Sequence, residues 1–254
     1  GPEGWSDLWA AVVEGSVPAG CVPRPARGRA SSVVDEWRAA AAAIDPTALW
    51  RSHVHAGIGL AVHGTASYPS ALVDDDDPPP ILFWQGAIDA LNGARVAIVG
   101  TRRATRYGFD VARSLARDLS TVGVSVVSGL AIGIDGAAHL GVLDVDGAPP
   151  IAVVGSGLDH VYPRANRELW ERVAQRGVVI SESPLGTPAA AWRFPARNRI
   201  IAALADVVIV VESQSTGGAL GTAVEAARRG RPVLAVPGPV TAPSSAGTNQ
   251  LLYD

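Results

Sequence analysis

Along the second part of the chain, short apolar runs alternate with amphipathic stretches. The runs are VAIVG (residues 96–100), VSVVSG (124–129), IAVVGSG (151–157), VVISE (178–182), DVVIVVE (206–212) and PVLAVPG (232–238). They are nearly continuous rather than alternating, the pattern of strands buried on both faces, as in a parallel sheet covered by helices. Between them, segments near 107–122, 135–144, 165–176, 197–205 and 218–230 carry helical periodicity. This rhythm predicts an α/β fold with an open, doubly wound, mainly parallel sheet. The run ILFWQG (81–86) reads as a strand leading into it.

The first part reads differently. Trp5, Leu8, Trp9, Val12 and Val13 fall on one face of a helix, and Val33, Val34, Trp37, Ala40, Ala41 and Ile44 repeat the pattern. A Pro/Gly/Arg-rich connector over residues 16–32 separates them. The expected organisation is a small N-terminal helical domain over residues 1–65 and a sheet domain over 66–254, with 66–94 as its extended lead-in. Residues 74–77 are four aspartates, followed by three prolines; consecutive carboxylates do not converge on one ion, so this predicts a solvated loop and no metal site.

Composition narrows the function classes. Hydrophobic residues make up 48% of the 254, which excludes disorder. No apolar run approaches the length of about 18 needed for a membrane span, and the strongest, residues 200–211, contains Asp206. The single cysteine, Cys21, cannot close an internal disulfide, and the start shows no signal-peptide pattern; both lead to a cytoplasmic expectation with no membrane. All 21 basic residues are arginine. Residues 1–94 hold five arginines against eleven acids, whereas 95–254 hold sixteen against thirteen. An anion site is therefore sought in the second part.

In such a sheet, ligands bind beyond the carboxyl ends of the strands, where this chain places its glycines and guanidinium groups. GTRRATRYG after the first run offers Gly100, Thr101, Arg102, Arg103 and Arg106. It has neither a dinucleotide fingerprint nor a Walker lysine, but suits bidentate phosphate contacts; a solvated arginine loop is the alternative. SGLAIGID gives Ser128, Gly129 and Gly133 at a tight turn, with Asp135 expected to cap a helix and His139 to be locally satisfied on it. GLDHVYPRANRELW combines Tyr162, Arg164 and Asn166, as in a site that stacks a base and neutralises its phosphate, though Tyr162 also fits ordinary packing. In RFPARNRIIAALAD, Arg197, Asn198 and Arg199 fall near a helix start, where cations are unfavourable unless an anion lies beside them. Pairing with Glu182, Glu212 or Glu225 would also explain them. TGGALGTAVE places Gly217, Gly218, Gly221 and Thr222 at another helix start, just after Thr216, with Glu225 one turn in.

These blocks, in this order from about Tyr68 onward, resemble the DNA-processing protein A (DprA/Smf) family of bacterial transformation and recombination. The resemblance implies a Rossmann-like domain behind a variable helical one, acting without catalysis, cofactor or metal. It implies binding and protection of single-stranded DNA by a homodimer, and loading of the RecA recombinase. Arg102 would hold a phosphate. Ser128, Gly129, Tyr162, Arg164, Asn166, Arg197, Asn198, Arg199 and the Thr216, Gly217, Gly218 turn would line the same groove with Gly100, Thr101 and Arg103. Residues 233–252 are the candidate dimer segment, and many members carry a C-terminal winged helix as well. Ile132, Leu140 and the STGGALGT form depart from the family's common pattern. The competing reading is a lonely-guy-type nucleoside-monophosphate phosphoribohydrolase with Glu225 as its carboxylate. The extra residue in GGALGT shifts Glu225 about 100° around the helix relative to that motif. A two-metal nuclease and a nicotinamide dehydrogenase lack their residue patterns.

Overall fold

The computed structural model describes residues 13–14 and 30–253. The helix expected on residues 5–13 and the Cys21 connector lie outside them, apart from helical Val13 and the connector's last three residues, 30–32, which are helical rather than a connector. Helix α1 (Ala30–Ala43) contains the second predicted stripe except Ile44, which lies just past its end and is exposed. Its C-terminal end leads into α2 (Pro46–His55), which the apolar periodicity did not reveal. The start signal was nevertheless present: the Asp45 carboxylate accepts from the N–H groups of Thr47 and Ala48 at 2.9 and 3.2 Å, and Pro46 opens the first turn.

Eight strands form one sheet. They are β1 (Gly59–Val62), β2 (Ile81–Gly86), β3 (Arg95–Val99), β4 (Ser125–Ser128), β5 (Ile151–Val153), β6 (Val178–Ser181), β7 (Val207–Val210) and β8 (Val233–Ala235). All seven predicted strands are present. Their order is β1-β2-β6-β5-β4-β3-β7-β8, with β1 and β2 antiparallel and β3 to β8 mutually parallel. Because β1 joins this sheet, the boundary drawn between residues 65 and 66 falls after the sheet's first strand. β1 is short and does not alternate, so it left no signal against its polar surroundings.

The crossovers are α4 (Arg106–Thr121), α5 (Ile134–Leu143), α6 (Arg167–Arg176), α7 (Arg193–Leu204) and α8 (Gly218–Arg228), with the single-turn α3 (Ser70–Val73) before β2 and α9 (Ala246–Tyr253) after β8. β4, β5 and β6 are buried along their whole length between the helix layers, which explains their unbroken hydrophobicity. From β3 the chain moves outward through β4, β5 and β6, then returns to β3's other side as β7. This reversal opens a crevice at the carboxyl ends of β3 and β7.

The aspartate run is a loop, but not merely a solvated one. Asp75 accepts from Arg229 Nε and Nη2 at 2.7 and 3.0 Å, and Arg229 also donates to Glu225 at 2.6 Å. Burial pushes the Asp75 carboxyl up, but the Arg229 guanidinium outweighs this and holds it below its ordinary value. The fork fastens the lead-in to the end of α8, with the two side chains only 8 and 9% exposed. Removing one partner of such a pair leaves a buried charge uncompensated. Arg229→Ala should therefore cost about 3–5 kcal/mol in chemical denaturation; a loss under about 1 kcal/mol, typical of an exposed pair, would contradict that role.

Candidate nucleic-acid interface

A cleft of about 610 Å³ occupies the crevice. The loop after β3 supplies Gly100, Thr101, Arg102 and Arg103; α7 supplies Phe194, Arg197 and Asn198; the start of α8 supplies Gly217 and Gly218. A smaller hollow of about 120 Å³ is lined by Gly129, Ile132 and Pro163, and shares Arg102, Tyr162, Phe194 and Arg197 with the cleft.

The loop after β3 is fixed from across the switch point by Glu212. Its carbonyl accepts from the Thr101 N–H at 2.7 Å, and its buried carboxylate from the Thr105 N–H at 2.8 Å. A β-carbon on Gly108 would overlap that carboxylate, so a larger residue there would displace the group that holds the loop. Glu212, expected only as an arginine partner, takes this backbone role through contact between distant segments.

The loop after β4 stacks on the first. Gly133, at φ 87°, ends it, and a β-carbon there would run into the Thr101 carbonyl, which accepts from the Ile134 N–H at 3.2 Å. Leu130 is buried in the left-handed region, φ 53°, a conformation costing roughly 1–2 kcal/mol. Asn166 Nδ2 donates to the Leu130 carbonyl at 2.8 Å and so braces this turn. Ser128 is likewise internal, its hydroxyl donating to the Ile98 carbonyl at 2.7 Å.

Arg197 forms part of the cleft floor and is only 4% exposed. Its Nη1 donates to the Val153 carbonyl at 2.8 Å, and a β-carbon on Gly129 would overlap the guanidinium. Its Nε has no hydrogen-bond partner. Buried Asp135 faces the same region and accepts from the Gly129 N–H at 3.2 Å. Burial pushes the Asp135 carboxyl up and the Arg197 guanidinium down, while the charge of each partly offsets the shift of the other. The expectation that Asp135 caps α5 is corrected: Gly133 holds the cap position without a side-chain bond, and Asp135 serves the Gly129 turn.

His139 also differs from expectation. The ring is fully buried and neither nitrogen makes a hydrogen bond of ordinary geometry, although the Ser128 backbone favours the protonated form. Burial, the larger effect, and the nearby Arg197 charge push its pKa down to about 3.

Above the floor, the Tyr162 and Phe194 rings lie 5.3 Å apart, and the exposed Arg102 guanidinium sits 4.9 Å from the Phe194 centroid. Phe194 was absent from the expected site residues; the aromatic preceding PARNR was its signal. Asn198 Nδ2 donates to the Gly218 carbonyl at 3.4 Å and ties α7 to α8.

Gly100, Thr101, Arg102, Arg103, Tyr162, Arg197, Asn198, Gly217 and Gly218 thus share the cleft, with Gly129 on the adjoining hollow. Arg164 and Thr216 are exposed outside both. Arg199 turns elsewhere: Nη2 donates to Glu182 and Nε lies 3.0 Å from Asp77. Of the two explanations open for it, pairing with Glu182 is the one realised. Glu225 is outside the cleft lining and pairs with Arg228 and Arg229.

The arrangement is that of a Rossmann-like α/β domain whose switch-point cleft combines arginines, glycine amides and stacked aromatic rings. The chain belongs to the DNA recombination-mediator protein A family, whose model matches residues 59–254. DNA processing protein DprA of Bacillus subtilis is 39% identical over 197 residues, covering 77% of this chain and 66% of that protein. The chain spans half or slightly less of the length of other relatives, among them Smf of Escherichia coli. Among solved structures, DprA from Streptococcus pneumoniae superposes with a TM-score of 0.79 at 35% identity, covering 89% of this chain and 78% of that one. DNA processing protein A from Helicobacter pylori, studied for its single-stranded DNA binding mode, gives 0.70 at 32%, covering 77% and 87%.

The unfolded chain takes up a proton on His139 near pH 6.5, whereas the folded chain resists it down to about 3. Stability from this group is complete above 6.5 and is lost as pH falls through that window. His139→Leu should flatten this part of a denaturation-versus-pH profile with little loss at neutral pH; an unchanged acid slope would contradict the assignment.

Proposed function

We propose that the cleft binds single-stranded DNA through its phosphate backbone and stacks a base on the Tyr162–Phe194 pair. The observation that carries this reading is the convergence of Arg102, Arg103, the Gly217–Gly218 turn and two aromatic rings on one crevice, with Arg102 itself against the Phe194 ring. Guanidinium forks and amides at the start of α8 suit phosphate oxygens, while the rings accept any base. Arg197 adds positive potential from the floor without leaving its internal bonds. The H. pylori relative's single-stranded DNA binding and the family's recombination-mediator description support the same reading.

Within the whole protein, the cleft would protect incoming or processed strands in the cytoplasm and present them for RecA loading. A homodimer is supported by the apolar residues left exposed on β8 and α9: Leu234, Leu252 and Tyr253. The activity is binding rather than catalysis, since Asp135, the carboxylate lining the cleft, is buried with Arg197, and Glu225 is held by two arginines. Release of adenine from AMP, abolished by Glu225→Ala, would overturn this in favour of the hydrolase. No helix among the described residues is long and apolar enough to cross a membrane.

Fluorescence anisotropy with labelled oligo-dT tests the reading. Arg102→Ala should weaken binding to all sequences alike and flatten the log–log salt slope by about 0.7, one phosphate contact on a single strand. Arg199→Ala should leave that slope unchanged. Preference for duplex, or binding indifferent to salt, would contradict the proposal.

A further inference from the structure

We propose that Trp192 is a stacking platform for a base lying just beyond the cleft lip, so that the strand is gripped outside the cleft as well as within it. This rests on the single-stranded DNA reading. Trp192 stands at the start of α7 and is 65% exposed. Its neighbours Ala191 and Phe194 line the cleft, whereas Trp192 does not, so the indole projects from the rim.

Three observations separate it from a casually exposed apolar side chain. The Arg193 guanidinium lies 4.3 Å from its ring centroid, and Arg193 Nη1 is itself anchored on Ser183 Oγ at 3.0 Å. A cation over one face supports the ring while the exposed remainder stays open to a base. The loop leading to it is also tied down over residues 185–187. The Leu185 N–H donates to His53 Nε2 at 3.0 Å, the Gly186 N–H to both Asp159 oxygens at 2.9 and 3.0 Å, and the Gly157 N–H to the Thr187 carbonyl at 2.9 Å. A platform ordered before binding loses little entropy when a base settles on it. Lastly, the Tyr162–Phe194 pair and Arg102 lie on the cleft side of the same helix start, so a strand leaving the cleft across this lip meets Trp192 next.

The test compares wild type, Trp192→Ala and Trp192→Phe by anisotropy, using labelled oligo-dT of three and of twelve nucleotides. Trp192→Ala should weaken binding of the longer strand by about five- to a hundredfold. Trp192→Phe should restore most of that loss, the salt slope should not change because no phosphate contact is removed, and binding of the trinucleotide should be unaffected. Equal affinity of wild type and Trp192→Ala for the longer strand would overturn the proposal, as would an equal loss on both lengths. Failure of the DNA reading itself would look different: wild type would bind neither oligonucleotide. Unchanged thermal melting of Trp192→Ala, expected for so exposed a side chain, identifies the loss as one of binding.

Discussion

Arg197 lies beneath the cleft with its guanidinium where a side chain on Gly129 would have to be, and with Nη1 on the Val153 carbonyl. That placement joins the ends of β4 and β5 to α7 through one charged group. Burying a guanidinium is costly unless it is compensated. Here one backbone carbonyl and the charge of Asp135 supply part of the compensation, and Nε is left without a partner. An anion in the cleft above would relieve the remainder. The residue that holds the loops together therefore also sets positive charge beneath the cleft.

The loops on either side are arranged around this constraint. Glu212 fixes the β3 loop from the end of β7, Gly133 lets the β4 loop lie against it, and Asn166 braces Leu130 in its left-handed conformation. Several of the polar residues that look functional are consumed in this work. What remains free to meet a ligand is a smaller set: two exposed arginines, the glycine turn before α8 and the aromatic rings of Tyr162 and Phe194.

The strands were legible because burial on both faces leaves an unbroken apolar run, and the glycine-rich loops because positions such as Gly133 lie against backbone too closely for a β-carbon. The cleft's location followed from the order of those elements. What the sequence concealed was direction. Arg197 and Arg199 are two residues apart on a helix and so point about 200° apart: one lies under the cleft, and the other pairs with Glu182 and Asp77. Asn166 and Ser128 belong to the right loops but turn inward, and no local pattern distinguishes a brace from a ligand contact. Phe194 and Trp192 stood out only once the fold brought the start of α7 to the cleft, because a lone aromatic residue in a sequence does not show which surface it faces. β1 was missed because four weakly apolar residues acquire their meaning only through pairing with β2.

If the switch-point cleft carries the strand, the loops around it should be shielded when DNA is bound. Amide hydrogen exchange of the protein with and without saturating oligo-dT tests it most directly. New protection is expected at residues 100–103, 129–133 and 214–219, with none at the Asp75–Arg229 side of the sheet. Protection confined to that opposite end, or none at the three loops despite saturated binding, would contradict it.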